Sequence, residues 1–409
     1  MSKNENDVVI VSAVRTPFGK YGGVLKDINS VDLATIPMKE VLQRVNFPAE
    51  KLDEIYYGTC EPIEYGMDIN VPARQALLKA GFSVETLSMT IDTACCSSMD
   101  AVILGAGDIK LGISKTVMAV GTDNMCRQPY YVYPSFRWTG VRGDIVLKDP
   151  IRRGANYPVP MVGPIAADVG EVALEYGVSR EVQDGWGYTS QMRYKKAYAE
   201  GKFKDEMIIP LEIPQENGAP ISIDIDEQHR SDTTLEKMAK LPTVYGSPTV
   251  TAGNAPGINT GAAAILFMSR EKAIENGLKP LAKIVAQSRA AGVPRLMATK
   301  PATAIQLALN EANLSLDDMD LIEINEAFAA VVLVSAKILA DGDDKKYQTL
   351  LERTNVNGGA VAIGHPVGAS GARLIMTLMY ELRRRGGKYA VAALCGGLCQ
   401  ASATIIEIE

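Results

Sequence analysis

Three pairs of landmarks recur along this chain at almost the same spacing, and that recurrence constrains the fold more than any other feature. LDEIYYG at 52–58 and MDLIEIN at 319–325 each read as an apolar residue and an aspartate, then a strand that stops at a small or polar turn residue. CCSSMDAVILGAG starts a helix at Cys95, and GHPVGASGARLIM starts one around His365. The strands that follow, TVMAVG and YAVAALC, end at Gly121 and Cys395. The offsets are 267, 270 and 274 residues. Offsets this constant mark duplicated topology even where residue-by-residue similarity is weak. Two related α/β halves would bring equivalent strand ends together across one central crevice, a common place for a ligand site.

Local pattern agrees with this. Residues 8–14 form a short β-branched run closed by Arg15-Thr16-Pro17, a buried strand. Residues 32–44 suit a helix weakened early by Pro37, 54–57 and 88–91 suit strands, and 70–79 suits a helix that stops near Gly81. Residues 116–120 form the next strand. Such alternation predicts α/β layers rather than an antiparallel barrel. From 122 to about 250 the alternation is lost, with helical patterns only at 163–176 and 180–201. The chain therefore reads as an N-terminal α/β half at 1–121 (completed by about 245–270), an inserted loop-and-helix region at 122–245, and a C-terminal α/β half at 271–409. The insertion is expected to cover a site. Its cluster of Tyr130, Tyr131, Tyr133, Phe136 and Trp138 is expected to be ordinary packing, with a substrate wall or subunit contact as the sharper alternative.

Composition removes whole classes of function. At 409 residues and 47% hydrophobic, the chain can build cores without disulfide or metal staples. With 42 basic and 48 acidic residues it offers no reason to propose a nucleic-acid groove. No apolar run approaches the roughly 20 residues of a membrane span, and the N-terminus lacks a signal-peptide pattern. A cytoplasmic protein with reduced cysteines is expected. Cys395 and Cys399 have no second cysteine pair and no nearby histidine, so no metal is expected. Only His229 and His365 exist, which excludes chemistry built on three histidines. His229, in DEQHRSD, is expected to face solvent, and Arg383-Arg384-Arg385 to end a helix in solvent.

Few residues remain to carry chemistry. Cys95 follows a strand and opens a helix, where the positive helix end and backbone donors favour a thiolate. A buried inert cysteine is the competing reading, and Cys96 competes for the role. His365 lies in NVNGGAVAIGHPVGASGAR at 355–373, among five glycines that permit close backbone approach. Its imidazole can accept a proton from Cys95 or help hold an oxyanion. Cys395 ends an apolar strand and enters Gly396-Gly397, where a thiol can exchange a proton with substrate carbon. Asn325 either caps a helix or positions water, and Glu326 satisfies backbone donors near a helix start.

Taken together, these segments resemble the thiolase family of CoA-dependent enzymes, over nearly the whole chain. TIDTACCSSM at 90–99 is similar to the nucleophile motif, NEAFA at 325–329 and the GHP block at 364–366 match strongly, and CGG at 395–397 aligns with the second catalytic cysteine. TAGNAPGINTGAAA at 251–264 resembles the segment that passes bound CoA. The resemblance implies a duplicated αβαβα fold and a ping-pong mechanism. His365 would activate Cys95 for acylation, and Cys395 would protonate the departing carbanion or, in condensation, generate it. One oxyanion site would use His365 with water held by Asn325; the other would use the backbone N–H groups of Cys95 and Gly397. Ala255, Pro256, Gly257 and Phe328 would line the CoA side. The implied activity is acetyl-CoA C-acyltransferase, the reversible cleavage and condensation of short 3-ketoacyl-CoA, with acetoacetyl-CoA first.

Longer, branched or aromatic 3-ketoacyl-CoA substrates are the enzyme alternative, and a non-catalytic acyl-CoA-binding scaffold is the other. CoA and acyl-CoA enter as substrates, with no tightly bound cofactor. A homodimer or homotetramer is implied, with no accessory protein named. Several positions depart from the family pattern: Asp92 for asparagine, Ser98 for glycine, Ile165-Ala166-Ala167 for a TAE element, Pro256 for serine, and Leu398-Cys399-Gln400 for a glycine-richer run.

Overall fold

The computed structural model describes residues 4–60, 69–132, 138, 144–151, 162–214 and 218–409. Its strands are β1 (Val8–Arg15), β2 (Gly19–Lys20), β3 (Glu54–Gly58), β4 (Leu87–Ile91), β5 (Thr116–Asn124), β6 (Leu211–Ile213), β7 (Ile221–Ile223), β8 (Asn259–Ser269), β9 (Ala282–Ala291), β10 (Leu321–Ile324), β11 (Tyr389–Cys395) and β12 (Gln400–Glu407). The helices used below are α1 (Ser30–Gln43), α2 (Pro72–Lys79), α3 (Ser97–Leu111), α4 (Ile165–Glu175), α5 (Arg180–Ala199), α6 (Lys300–Ala312), α7 (Ala329–Ala340), α8 (Asp344–Arg353) and α9 (Ser370–Arg385). Local chemistry sets several boundaries. Asn29 caps α1 by accepting from Asp32 N at 2.8 Å, and α1 runs through Pro37. Gly112 and Gly386, at φ 74° and 66°, stop α3 and α9 in the left-handed conformation that glycine tolerates.

The main sheet has the order β10-β11-β12-β9-β1-β8-β5-β3-β4, with β2 beside β8. Two sets of strands meet at β1–β9 through only two residue pairs, Val9–Lys283 and Ile10–Ala282. Within each set the same pairings recur. β3–β5 and β10–β11 are parallel, while β5–β8 and β11–β12 are antiparallel, as are β8–β1 and β12–β9. Three apolar cores define the layers. One packs α1 and α2 on the first set, one packs α6 and α7 on the second, and the largest central contribution comes from α3 and α9 between the two sets. The result is the duplicated αβαβα arrangement, with the starts of α3 and α9 facing a shared interior.

Three expectations change. The helix expected at Cys95 begins two residues later, at Ser97. His229 is only partly exposed: its Nδ1 lies 2.8 Å from Gln191 Oε1 and its ring packs on Tyr194, both from α5. Within the aromatic cluster, Tyr130, Tyr131 and Trp138 are exposed rather than packed, and Tyr133 and Phe136 lie outside the described residues.

Candidate active site

The turn that presents Cys95 is built before α3 starts. Ala94 has φ 55°, a left-handed conformation that costs an L-residue roughly 1–2 kcal/mol. Asp92 Oδ1 holds it by accepting from Ala94 N at 3.0 Å. An asparagine oxygen could make the same bond, so the departure at Asp92 keeps the turn and adds a charge. Ser97 completes the brace, accepting from Thr93 N at 3.0 Å and donating to Ala94 O at 2.6 Å. Cys95 is thereby presented, partly exposed, beside the second half.

His365 meets it there. Cys95 Sγ lies 3.2 Å from His365 Nε2, although 270 residues separate them. The imidazole is oriented from behind. Ser370 Oγ donates to Pro366 O at 2.8 Å, so at 2.5 Å from His365 Nδ1 it must accept. The ring proton therefore sits on Nδ1, and Nε2 is the free acceptor facing the thiol. Asn259 Oδ1 fixes the backbone by accepting from His365 N at 2.9 Å. Burial, reinforced by the positive charge of Arg373, pushes His365 down to about 3. Burial first, then Cys395, Asp123 and Asp92, pushes the Cys95 thiol well up. The pair is a neutral thiol donating to a neutral imidazole, an arrangement suited to passing the sulfur proton to Nε2.

Asn325 Nδ2 approaches the same nitrogen at 3.4 Å. Its amide is oriented by Arg373, whose Nη2 donates to Asn325 Oδ1 at 3.4 Å while Nη1 donates to Glu323 at 3.2 Å. Glu326 takes no part in this contact. It accepts from Trp186 Nε1, Ser190 Oγ, Asn355 Nδ2 and Val361 N, and it lies three residues before α7 rather than in its first turn.

Cys395 ends β11 fully buried. Burial raises its pKa strongly and keeps it a protonated thiol. The turn after it fits against the Cys95 turn, because a Cβ on Gly396 would fall 2.8 Å from Cys96 Sγ and 2.9 Å from Thr93 O. Cys96 is buried against that turn, its thiol 3.8 Å from Leu394 O. Leu398 and Cys399 adopt positive φ, 55° and 69°, at the positions where the glycine-richer run was expected. Further out, Asn254 O accepts from Ala329 N at 2.8 Å, which sets the 255–257 segment beside Phe328. Gly257 packs on Gln228, which in turn accepts from Asn259.

Ser370, Asn259 and Arg373 were not singled out from the sequence. Two of them lie inside the glycine-rich block at 355–373, and Asn259 in the 251–264 segment, so proximity to those motifs was the available signal.

A partly exposed cysteine meeting a buried histidine, with a second thiol, at the seam of a duplicated layered fold is an arrangement that can support acyl transfer through a thiol. Residues 8–271 match the family model for the thiolase N-terminal domain and 278–408 the thiolase C-terminal domain. The chain is 42% identical to an acetyl-CoA acetyltransferase of Syntrophomonas wolfei, covering 98% of this chain and 99% of that protein. It is 41% identical to a beta-ketoadipyl-CoA thiolase of Acinetobacter baylyi, covering 97% and 98%. The human mitochondrial 3-ketoacyl-CoA thiolase structure superposes with a TM-score of 0.92 at 37% identity, covering 99% of this chain and 100% of that one. The chain belongs to the thiolase family and is an enzyme of acyl-CoA cleavage and condensation.

Proposed function

We propose that this enzyme catalyses reversible thiolytic cleavage and Claisen condensation of short 3-ketoacyl-CoA, with acetoacetyl-CoA as its leading substrate and the cytoplasm as its compartment. The observation that carries the reading is the 3.2 Å approach of Cys95 Sγ to His365 Nε2 with Ser370 behind the ring. In cleavage, the Cys95 proton passes to His365 Nε2 as sulfur bonds to the keto carbon. Collapse of the oxyanion breaks the carbon–carbon bond, and the carbanion of acetyl-CoA takes the proton of Cys395. Free CoA then gives its thiol proton to the Cys395 thiolate and attacks the acyl group, and Cys95 leaves and recovers its proton from His365. Backbone N–H groups of Cys95 and Gly397 would hold one oxyanion, and His365 with water on Asn325 the other. Ala255, Pro256, Gly257 and Phe328 would contact CoA; human 3-ketoacyl-CoA thiolase has been solved with CoA bound.

The preference for short, uncharged acyl groups is supported by the charges around Cys95. Asp92 opposes negative charge there, so a distal carboxylate on the acyl chain would be disfavoured. A panel of 3-ketoacyl-CoA substrates tests this. Acetoacetyl-CoA should give the highest kcat/KM, and a higher value for a long, branched or dicarboxylic chain would refute it. Cys395→Ala should still acylate Cys95 from acetyl-CoA yet form no condensation product.

We also propose the division into halves at 1–121 and 271–409 with the 122–245 region between, supported by the repeated strand pairings. A second copy is proposed to pair along β4. This strand ends the sheet, and its Leu87 and Met89 are 63% and 50% exposed. Leu87→Glu should then yield monomer in sedimentation.

A further inference from the structure

We infer that Asp123 and Ser98 are positioning residues for the His365 base, gripping from the first half the turn that holds Ser370 in the second. This inference rests on the assignment of Cys95 and His365 above. Asp123 lies near the end of β5 and is buried. One carboxyl oxygen accepts from Thr59 Oγ1 at 2.8 Å and Cys60 N at 3.0 Å, and the other accepts from Gly368 N. Asp123 thus joins the ends of β3 and β5 to a backbone atom three residues after His365.

Ser98 acts two residues beyond Ser370. Ala369 caps α9 and offers no side-chain acceptor, so the first-turn N–H groups need partners from elsewhere. Ser98 Oγ supplies one, accepting from Ala372 N at 2.9 Å. A residue of α3 therefore caps the opposite helix. Glycine at position 98, the family's usual residue, could not make this bond. The fit between the halves is tight here as well. A Cβ on Gly368 would lie 2.8 Å from Thr59 Cα, and one on Gly121 would lie 2.4 Å from Gly368 O and 2.6 Å from Ser98 Cβ. The two grips bracket Ser370, whose hydroxyl selects the acceptor nitrogen of His365. Both halves are also joined by the central core, so the grips are needed for alignment rather than for holding the fold together.

Asp123 has an electrical effect that Ser98 lacks. Cys95 is influenced by Cys395, Asp123 and Asp92, and it faces neutral His365. Burial pushes the Asp123 carboxyl up to about 8, against the three donors, with Asp92 adding to the rise. As Asp123 ionises it opposes formation of the Cys95 thiolate.

The test compares Ser98→Gly and Asp123→Asn with the wild-type enzyme. Thiolysis of acetoacetyl-CoA gives kcat and KM, site-resolved mass spectrometry follows alkylation of Cys95 by iodoacetamide against pH, and a thermal melt checks folding. Ser98→Gly should lower kcat about tenfold, the scale of a sub-ångström misalignment, with KM for CoA unchanged and the alkylation midpoint unmoved. Asp123→Asn should lower kcat at least as much and move the alkylation midpoint down by about one pH unit. Wild-type kcat in Ser98→Gly overturns the inference, as does an unmoved midpoint in folded Asp123→Asn. If Asp123→Asn does not fold, the kcat-against-KM result of Ser98→Gly decides alone. Alkylation needs no substrate, so a wild-type enzyme inactive on acetoacetyl-CoA would count against the proposed substrate and leave this comparison intact.

Discussion

The two halves of the molecule repeat one topology and use it differently. α3 and α9 each begin with a serine, Ser97 and Ser370, and each hydroxyl donates to a carbonyl just upstream, Ala94 O or Pro366 O. The acceptor side of the two hydroxyls differs. Ser97 receives a backbone N–H and braces the Cys95 turn, whereas Ser370 receives the imidazole and selects its tautomer. The outer edges differ too. The first half ends in β4, an open strand with exposed apolar side chains, while the corresponding place in the second half is reduced to a single bridge between Ile322 and Thr354, both buried. Duplication supplied a scaffold with two facing helix starts, and the functional asymmetry lies in what each serine is bonded to.

Substitutions in matched positions break or sharpen that comparison. The largest effect is expected at the ring itself: His365→Asn should lower kcat by about 10³-fold in a thiolysis assay. The same variant has a pH signature. His365 has a folded pKa depressed from 6.5 to about 3, so the unfolded chain binds a proton more readily between those values. The wild type should lose stability as pH falls from 6.5 toward 3, and denaturant titrations of His365→Asn should show a flatter loss. Next come the paired serines. Ser370→Ala should reduce kcat by about 10- to 100-fold and cost about 1 kcal/mol of stability, because it frees the imidazole tautomer and leaves the buried Nδ1–H without its partner. Ser97→Ala should cost about 1 kcal/mol of stability, since it leaves the Thr93 N–H without its partner. Equal effects of the two on kcat would remove the functional distinction. Smallest is Leu398→Gly: it relieves roughly 1–2 kcal/mol of left-handed strain and adds about 0.5–1 kcal/mol of chain entropy, for a net gain below about 1.5 kcal/mol by denaturant titration.

Much of the layered fold was legible because it depends on local pattern and on a repeated order of strands. The segments around Cys95, Asn325, His365 and Cys395 drew attention through their ordered resemblance to family motifs, since each residue alone had an ordinary structural explanation. The supporting residues were not. Ser370 looks like a routine polar residue at a helix start, Ser98 stood out only as a departure from the family pattern with no role attached, and Asp123 looks like the polar end of a strand, because their partners come from 5 to 274 residues away. His229 was misread for the same reason. Its sequence neighbours are polar, but Gln191 and Tyr194 of a distant helix cover one side of it. The aromatics at 130, 131 and 138 were misread in the opposite direction, since an aromatic cluster in sequence does not by itself bury its members.

The central claim is that Cys95, across the seam from His365, takes the acyl group. Incubating the enzyme with acetoacetyl-CoA, without free CoA, and mapping the acetylated peptide by mass spectrometry tests it most directly. The acetyl group should appear on Cys95 in the wild type and disappear in Cys95→Ala together with thiolysis. Acetylation of Cys395 or another residue in the wild type, or undiminished thiolysis by Cys95→Ala, would contradict the account.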